Sequence, residues 1–360
     1  MNIAFATLFD CHYLARALVM VRSLRRHAGR NAPTVFGLCL DEPTLDYLRD
    51  SPEPGVVPLA VADLEADDPE LVAAKGNRTR LEYYFTLSPC LPRFILHGGG
   101  LDAVVSLDAD LWFLRDPGGL VRALRERSLF VTAHGFSRDV ARGAADTGLY
   151  NVSFQGFRND VTGRTCLDRW RAQCLEWCGH NVDRRHGRYA DQRYLDTWPA
   201  DYPGDVTVFA PPQAGLAPWN LSRFPIAADS SGVTAAGMAP AFFHFHGVRF
   251  IRPHLVADNL WRYHAIVDEG VIRHLYAPYL DELSRTQIEV SRRIGDDAPL
   301  SGPGRGGLLP LRLWSARSWF HVCPTHGVAH KSLHWLHPLH ALRRGGRRVI
   351  DLFHRDPDAS

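Results

Sequence analysis

The sequence predicts an α/β protein whose mostly parallel sheet is covered by helices on both faces. Short apolar runs alternate with longer amphipathic segments along most of the 360-residue chain, a pattern typical of parallel strands between helices. The composition is that of a soluble globular protein, with 46% hydrophobic and 22% charged residues. A chain of this length can bury one large core or two smaller ones.

The predicted elements follow one another in a regular order. Apolar runs of strand length occur at residues 2–8, 34–40, 56–60, 102–107, 129–133 and 151–157. Helical periodicity occurs at residues 12–27, 78–97, 161–178 and 189–197. We expect Pro89 and Pro92 to interrupt the second of these helices, because proline has no N–H group to donate.

Charge and cysteine usage exclude several classes of protein. The net charge of +2 is too small to indicate a nucleic-acid-binding protein. The seven cysteines are odd in number and form no CxxC pair, so we interpret them as reduced thiols of a cytoplasmic protein. A metal cluster could be formed by Cys166, Cys174 and Cys178. However, helical spacing is shared by Leu167, Trp170, Cys174 and Trp177, which favours a buried helix face. We find no signal-peptide pattern and no apolar run of transmembrane length.

The stretch VVSLDADLWF, residues 104–113, places two carboxylates at the end of a predicted buried strand. Residues i and i+2 of an extended chain point to the same side, so Asp108 and Asp110 face one cation or one polar partner. Buried charges are normally paired or bind a metal. Carboxylates suit Mg²⁺ or Mn²⁺, which also bind substrate phosphates. The alternative is that either aspartate caps the next segment or pairs with an arginine.

Six stretches together carry a resemblance to a known family. In order along residues 1–256 they are FATLFDCHY, NRTRLEYYFTLSPCLP, LDADLWF, LYNVSFQGF, YADQRYLDTWP and HFHG. They resemble the nucleotide-sugar-dependent glycosyltransferases of the GT-A fold, above all glycosyltransferase family 8 and related bacterial transferases. The resemblance implies a Rossmann-like GT-A domain, a nucleotide-diphosphate sugar donor, most commonly a UDP-sugar, and Mn²⁺ or Mg²⁺ as cofactor.

The resemblance also assigns roles to residues on the donor side. Thr7, Asp10 and Tyr13 stand where the family holds the base and ribose, although Asp10 could instead be the N-cap of the first helix. Arg80 or Arg78 takes the place of the arginine that contacts the donor. Asp108, Ala109 and Asp110 form the DxD motif that binds the metal and the donor diphosphate.

The resemblance also implies that a histidine of HFHG is the third protein ligand of the metal. The spacing to Gly247 favours His244, whereas the spacing to the following basic residue favours His246. Arg249 or Arg252 replaces the lysine that the family places on the diphosphate, and arginine suits bidentate contact with phosphate. The alternative for both histidines is packing within an aromatic-rich strand.

The remaining assignments concern the reacting sugar. Asn151, Asp191 and Gln192 match the family's Asn-containing strand and its Asp-Gln pair. Asp191 is expected to orient the donor sugar, and Gln192 to lie near the reacting face of a transfer that retains anomeric configuration. An amide oxygen is a poor nucleophile, which favours a dissociative same-face displacement over a covalent intermediate. The alternative from another class is a non-catalytic sugar-nucleotide-binding or scaffold protein of the same fold.

Three segments are predicted along the chain. Residues 1–294 form the catalytic domain, residues 295–307 a Gly/Pro-rich linker, and residues 308–360 a basic, aromatic C-terminal helical extension. The extension combines tryptophans with Arg343, Arg344, Arg347 and Arg348, a composition typical of peripheral contact with the inner face of an anionic membrane. The alternative is that its tryptophans pack under the catalytic domain. An acceptor of carbohydrate type is implied, but the sequence does not name it.

Overall fold

A computed structural model describes residues 1–252, 255–265, 268–294 and 320–322. The predicted linker at 295–307 and nearly all of the extension at 308–360 lie outside the described residues. None of the described helices is long and apolar enough to cross a lipid bilayer.

The described chain alternates strands and helices from its first residues. The strands are β1 Ile3–Phe9, β2 Val35–Cys39, β3 Val56–Ala60, β4 Ala103–Leu107, β5 Leu111–Phe113, β6 Leu129–Ala133, β7 Tyr150–Arg158, β8 Val206–Phe209, β9 Gly215–Leu216, β10 Ile226–Asp229, β11 Gly232–Ala235, β12 Phe242–His244, β13 Arg249–Arg252, β14 Leu255–Ala257 and β15 Phe320–Val322. The helices are α1 Leu14–Ala28, α2 Glu42–Asp50, α3 Val61–Asp67, α4 Pro69–Lys75, α5 Arg80–His97, α6 Gly118–Val121, α7 Gly143–Thr147, α8 Val161–Glu176, α9 Trp198–Asp201, α10 Glu269–Val271 and α11 Ala277–Ile294.

A seven-stranded sheet in the order β3-β2-β1-β4-β7-β6-β8 forms the centre of the molecule. Strands β3, β2, β1 and β4 are mutually parallel, and β6 is parallel to β8, while β7 runs antiparallel to both of its neighbours. A second sheet in the order β5-β12-β9 has three strands. The predicted α/β class with a mostly parallel sheet is therefore confirmed.

Helices cover both faces of the central sheet, as the side-chain alternation along its strands requires. Ala6 and Val104 face a core shared with α5 and α8, and the neighbouring residues Phe5 and Val105 face one shared with α1 and the three-stranded sheet. The predicted buried face of α8 is confirmed for Leu167, Trp170 and Cys174, whereas Trp177 is the C-cap residue and is only half-buried.

Two predictions of local structure are wrong. Helix α5 continues through Pro89 and Pro92, and nine of its residues are buried. Burying a large apolar side chain contributes about 1.5–3 kcal/mol, so packing offsets the cost of about 3 kcal/mol for a proline inside a helix.

The predicted helix at 189–197 is also replaced. The chain has a left-handed backbone at Ala190, with φ of 46°, and then a short 3₁₀ helix, Arg193–Thr197. A left-handed residue cannot be part of a regular α-helix, and alanine gives no sequence signal for that conformation.

Candidate active site

The predicted site residues converge at one edge of the central sheet because of strand direction. The parallel strands β1 and β4 both end there, followed by Asp10 and Asp108. Strand β7 is antiparallel to β4 and therefore begins at this edge. The backbone N–H of Asp108 donates to the carbonyl of Ser153 at 3.1 Å. Asn151, near the start of β7, is thereby brought beside the aspartates.

The DxD motif is the connection between the two sheets. Strand β4 belongs to the central sheet, and β5, directly after Asp110, pairs antiparallel with β12 in the smaller sheet. In that register His244 lies opposite Leu111, and the N–H of Phe245 donates to the carbonyl of Asp110 at 2.9 Å. The Nε2 atom of His244 is then 2.9 Å from Asp110 Oδ1 and 3.6 Å from Asp108 Oδ2.

Burial and mutual charge set the ionisation of this cluster. Burial alone would raise the pKa of Asp110, but the charge and hydrogen bond of His244 lower it to about 2. Burial would lower the pKa of His244, yet Asp110 and Asp108 raise it. The pKa of Asp108 rises to about 6, because desolvation and the like charge of Asp110 outweigh His244. The cluster therefore holds negative charge at neutral pH.

The second histidine lies beside the first. Asp110, His244 and His246 each offer a ligand atom, and these atoms lie within 4.8 Å of one another. Burial, and then the charge of His244, lowers the pKa of His246 to about 4, so its imidazole is neutral and able to bind a metal. Carboxylates with imidazole form a donor set that fits Mn²⁺ better than Mg²⁺, which prefers oxygen ligands.

The turn after β1 carries the residues expected to hold the nucleoside. Asp10 Oδ1 accepts a hydrogen bond from the N–H of His12 at 3.1 Å. Asp10 is not the N-cap of α1, because the helix begins at Leu14 and its N-cap is Tyr13. The side chain of Tyr13 is 42% exposed, so one face of its ring is open to a ligand. Thr7 Oγ1 is buried and has no hydrogen-bond partner among the described residues.

The two candidate arginines point in different directions. Arg80 Nη2 lies 3.4 Å from Asp10 Oδ2, in the turn after β1, and 3.9 Å from Asp41 Oδ2. Arg78 instead donates to the carbonyls of Cys174 and Leu175 at the end of α8, at 2.8 and 2.6 Å. The structure therefore brings Arg80 to the site, whereas Arg78 connects the start of α5 to the end of α8 through hydrogen bonds.

A hydrogen-bonded network joins the residues expected near the reacting sugar. The Asn151 amide donates to Gln192 Oε1 at 3.1 Å and lies 3.1 Å from Nε2 of His134. Gln192 Nε2 donates to the carbonyl of Thr147 at 2.7 Å. Burial lowers the pKa of His134 to about 3, so its ring is neutral and Nε2 can accept from Asn151. Both amides are held in one orientation by these contacts.

Asp191 is a buried carboxyl group next to this network. Its carboxylate accepts a hydrogen bond from Ser88, and the indole N–H of Trp170 donates to its backbone carbonyl at 2.8 Å. Burial raises the pKa of Asp191 to about 7, despite the hydrogen bond from Ser88. A buried acid with such a pKa is characteristic of functional sites.

The remaining predicted residues are less informative. Ala109 is buried between the aspartates. Arg249 lies on β13 with an exposed side chain. Arg252 is the last residue of β13, and its side chain lies outside the described part of the chain.

Two residues near the site were missed from the sequence. Arg16 of α1 is buried and donates to the carbonyls of His12 and Val248, both at 2.7 Å. It thereby connects the turn after β1 to the loop after His244. The signal was a charged residue among the buried residues of α1. His134 carries no such pattern and is placed only by the fold.

Comparison with known proteins gives the following similarities. The chain is 29% identical over 298 residues to the uncharacterized protein YfnD of Bacillus subtilis (strain 168), which covers 82% of this chain and 93% of that protein. It is 27% identical over 263 residues to the uncharacterized protein YfnF of the same strain, covering 70% and 83%. No protein-family model matches the chain.

Two glycosyltransferases are among the solved structures to which the chain is similar. One is the galactosyltransferase LgtC bound to donor and acceptor sugar analogs, with a TM-score of 0.47, 14% identity and coverage of 79% of this chain and 95% of that chain. Another is mouse xyloside xylosyltransferase 1 in its apo form, with a TM-score of 0.39, 16% identity and coverage of 58% and 85%.

Proposed function

We propose that this protein is a GT-A-fold glycosyltransferase that uses a divalent metal to move a hexosyl group from a UDP-sugar to a carbohydrate-type acceptor. The observation that carries the proposal is the meeting of the DxD motif with a histidine from a distant segment. Asp108, Asp110 and His244 come together at the carboxyl edge of the sheet, where α/β proteins bind their ligands.

The donor would lie across the carboxyl ends of β1 and β4. Tyr13, which is partly exposed, would pack against the base, and Asp10 would accept from the ribose. The guanidinium of Arg80, beside Asp10, would contact the donor phosphates.

The metal site would consist of Asp108, Asp110 and His244, with His246 beside them. A bound Mn²⁺ would act there as a Lewis acid that stabilises the departing nucleotide diphosphate. The protein's own contribution is to hold two carboxylates and one imidazole in fixed positions. The pairing of β5 with β12 provides this, since it fixes Asp110 relative to His244.

The sugar-facing groups would be Asp191, Gln192 and Asn151. Asp191 would orient the donor sugar through its carboxyl group. The hydrogen bonds of Gln192 to Asn151 and Thr147 hold its amide for the reacting face. We propose retention of configuration, by same-face displacement.

A donor screen tests the proposal. UDP-sugars are added with and without Mn²⁺, and the melting temperature and the release of UDP are measured. A donor at 100 times its Kd should stabilise the protein by about 2.7 kcal/mol, and more strongly with Mn²⁺ present. Asp110→Asn should lose UDP release while still folding, whereas Asp67→Asn, on an exposed part of α3, should retain it.

The outcomes separate the two candidate functions. Binding of a nucleotide sugar without any transfer or hydrolysis would identify a non-catalytic binding protein. Full UDP release by Asp110→Asn at limiting Mn²⁺ would contradict the assigned metal site.

A further inference from the structure

Two buried nitrogen atoms at the candidate metal site have no hydrogen-bond partner in the described part of the protein. They are Nε1 of Trp219 and Nδ1 of His244. The two side chains are 6% and 3% exposed, and their rings lie edge to face with centroids 5.2 Å apart. An unsatisfied buried donor costs about 1–3 kcal/mol, so both groups require a partner.

Both rings line the same small cavity. Its wall also contains polar side chains of Thr132, Asn151, Ser153 and Asn220. The space in which the centre of a water molecule can lie is about 10 Å³, which is close to the room that one buried water needs. The cavity therefore combines polar partners with apolar wall residues such as Leu216 and Phe242, and its water-sized space is too small for a sugar ring.

We propose that this cavity binds one ordered water molecule that accepts hydrogen bonds from Trp219 Nε1 and His244 Nδ1 together. A water oxygen can accept two hydrogen bonds, and its own protons find oxygen acceptors in Ser153 and Asn220. Trp219 is then a positioning residue for His244, acting through the water.

The consequence for His244 is a fixed ring orientation, with a proton held on Nδ1. Nε2 then faces Asp110, to which it donates a hydrogen bond in the metal-free protein, and a bound metal would take the place of that Nε2 proton. Histidines that bind metals commonly donate their other N–H to a carboxylate, a carbonyl or a water, and loss of that contact costs about 10–100-fold in metal affinity or activity. This step rests on the proposed function, whereas the water site itself does not.

The first test is a crystal structure of the full-length protein without added metal, at a resolution that shows ordered water. We expect one water within hydrogen-bonding distance of both Trp219 Nε1 and His244 Nδ1. A dry cavity, a water that contacts only one of these nitrogens, or a protein acceptor for either nitrogen would overturn the proposal. This result does not depend on catalysis or on metal binding, so it can fail independently of the proposed function.

The second test measures Mn²⁺ affinity by electron paramagnetic resonance in Trp219→Phe. The substitution keeps an aromatic ring and removes the N–H group, so we expect the Kd for Mn²⁺ to rise roughly ten-fold. Trp198→Phe is the matched control, since Trp198 is equally buried and packs against Trp170 and Phe157. Its Kd should stay within about two-fold of the wild-type value.

An unchanged Mn²⁺ affinity in a folded Trp219→Phe protein would overturn the positioning role. If Trp219→Phe does not fold, or the wild-type protein binds no Mn²⁺, the crystal structure decides the water site alone.

Discussion

At the scale of single residues, the site contains a carboxyl group whose protonation is set by the fold. Asp191 is 2% exposed, and burial raises its pKa to about 7. In the unfolded chain its pKa would be about 3.9. The folded protein therefore keeps this proton over a pH range in which the unfolded chain loses it.

That difference predicts a pH-dependent effect of Asp191→Asn. The stabilising contribution of the protonated carboxyl is full below about pH 4 and declines as the pH rises to about 7. Between pH 5 and pH 8 the variant should therefore gain about 2–3 kcal/mol relative to wild type. Thermal unfolding in chelator, without donor, measures this. Asp46→Asn, on the exposed side of α2, should show no such trend, and a constant difference for Asp191→Asn would contradict the buried-acid assignment.

Gln192 allows a second prediction at this scale. Both ends of its amide are engaged, by Asn151 and by the Thr147 carbonyl. Gln192→Ala should lower the free energy of unfolding by about 1–3 kcal/mol, since it leaves buried partners unsatisfied. It should also reduce kcat more than it raises the KM for the donor. An unchanged rate per folded molecule would show that Gln192 has a structural role alone.

At the scale of elements, the start of α5 separates two arginines that the sequence could not tell apart. Both belong to the stretch NRTR. The side chain of Arg80 lies beside Asp10, in the turn after β1, whereas that of Arg78 contacts the end of α8. The reason is helix geometry. Arg78 precedes the N-cap Thr79, while Arg80 is the first helical residue, so their side chains leave the backbone in different directions.

This separation predicts opposite phenotypes for two matched substitutions. Arg78→Met should lower the free energy of unfolding by about 2 kcal/mol, because it removes charge-assisted hydrogen bonds to two carbonyls. Its donor affinity should be nearly unchanged. Arg80→Met should change stability by less than about 0.5 kcal/mol, since its ion pairs are exposed, and should weaken donor binding at least about ten-fold. Chemical denaturation and nucleotide titration measure both quantities, and reversed phenotypes would refute the assignment.

At the scale of the whole molecule, the C-terminal helix forms part of the wall behind the site. Tyr279 of α11 stacks on Phe245, with ring centroids 3.5 Å apart, and Phe245 lies between the two candidate metal ligands. Glu282 accepts from the indole N–H of Trp112 at 3.3 Å and pairs with Arg26 at 2.7 Å. Helix α11, which precedes the predicted linker, is therefore packed against the part of the protein that carries the candidate site. β15, at 320–322, also pairs with β14.

The extension carries the prediction of membrane contact, which the described residues do not test. Each arginine near an anionic surface contributes about 1 kcal/mol, and salt weakens the attraction. Full-length protein should therefore sediment with anionic vesicles at low salt and not with neutral ones. A full-length variant in which four arginines become alanine should remain in the supernatant: Arg343, Arg344, Arg347 and Arg348. Truncation is a poorer test because it would remove β15. Absence of wild-type protein from every vesicle pellet would refute the anchor.

The sequence predicted which types of residue form the candidate site better than it predicted which individual residues belong to it. The two aspartates of the DxD motif could be found because two carboxylates separated by one residue, directly after an apolar run, are visible in the sequence. The choice between His244 and His246 was not, since both would point to the same side of one predicted strand, whereas in the structure His246 lies in the turn after β12. Arg16 and His134 were not recognisable either, because their roles depend on contacts with residues far along the chain.

The sequence by itself determined the alternation of β1–β4, β6 and β7 with α1, α5 and α8, the mostly parallel sheet and the residue types of the candidate metal site. These depend on hydrophobic periodicity and local spacing, which are properties of neighbouring residues. The tertiary structure alone decided that β5 pairs with β12 and sets His244 2.9 Å from Asp110, that Arg78 points away from the site, and that Asp191 is a buried acid. The physical reason is that burial, electrostatic coupling and long-range strand pairing depend on which distant segments become neighbours, and local patterns do not contain that information.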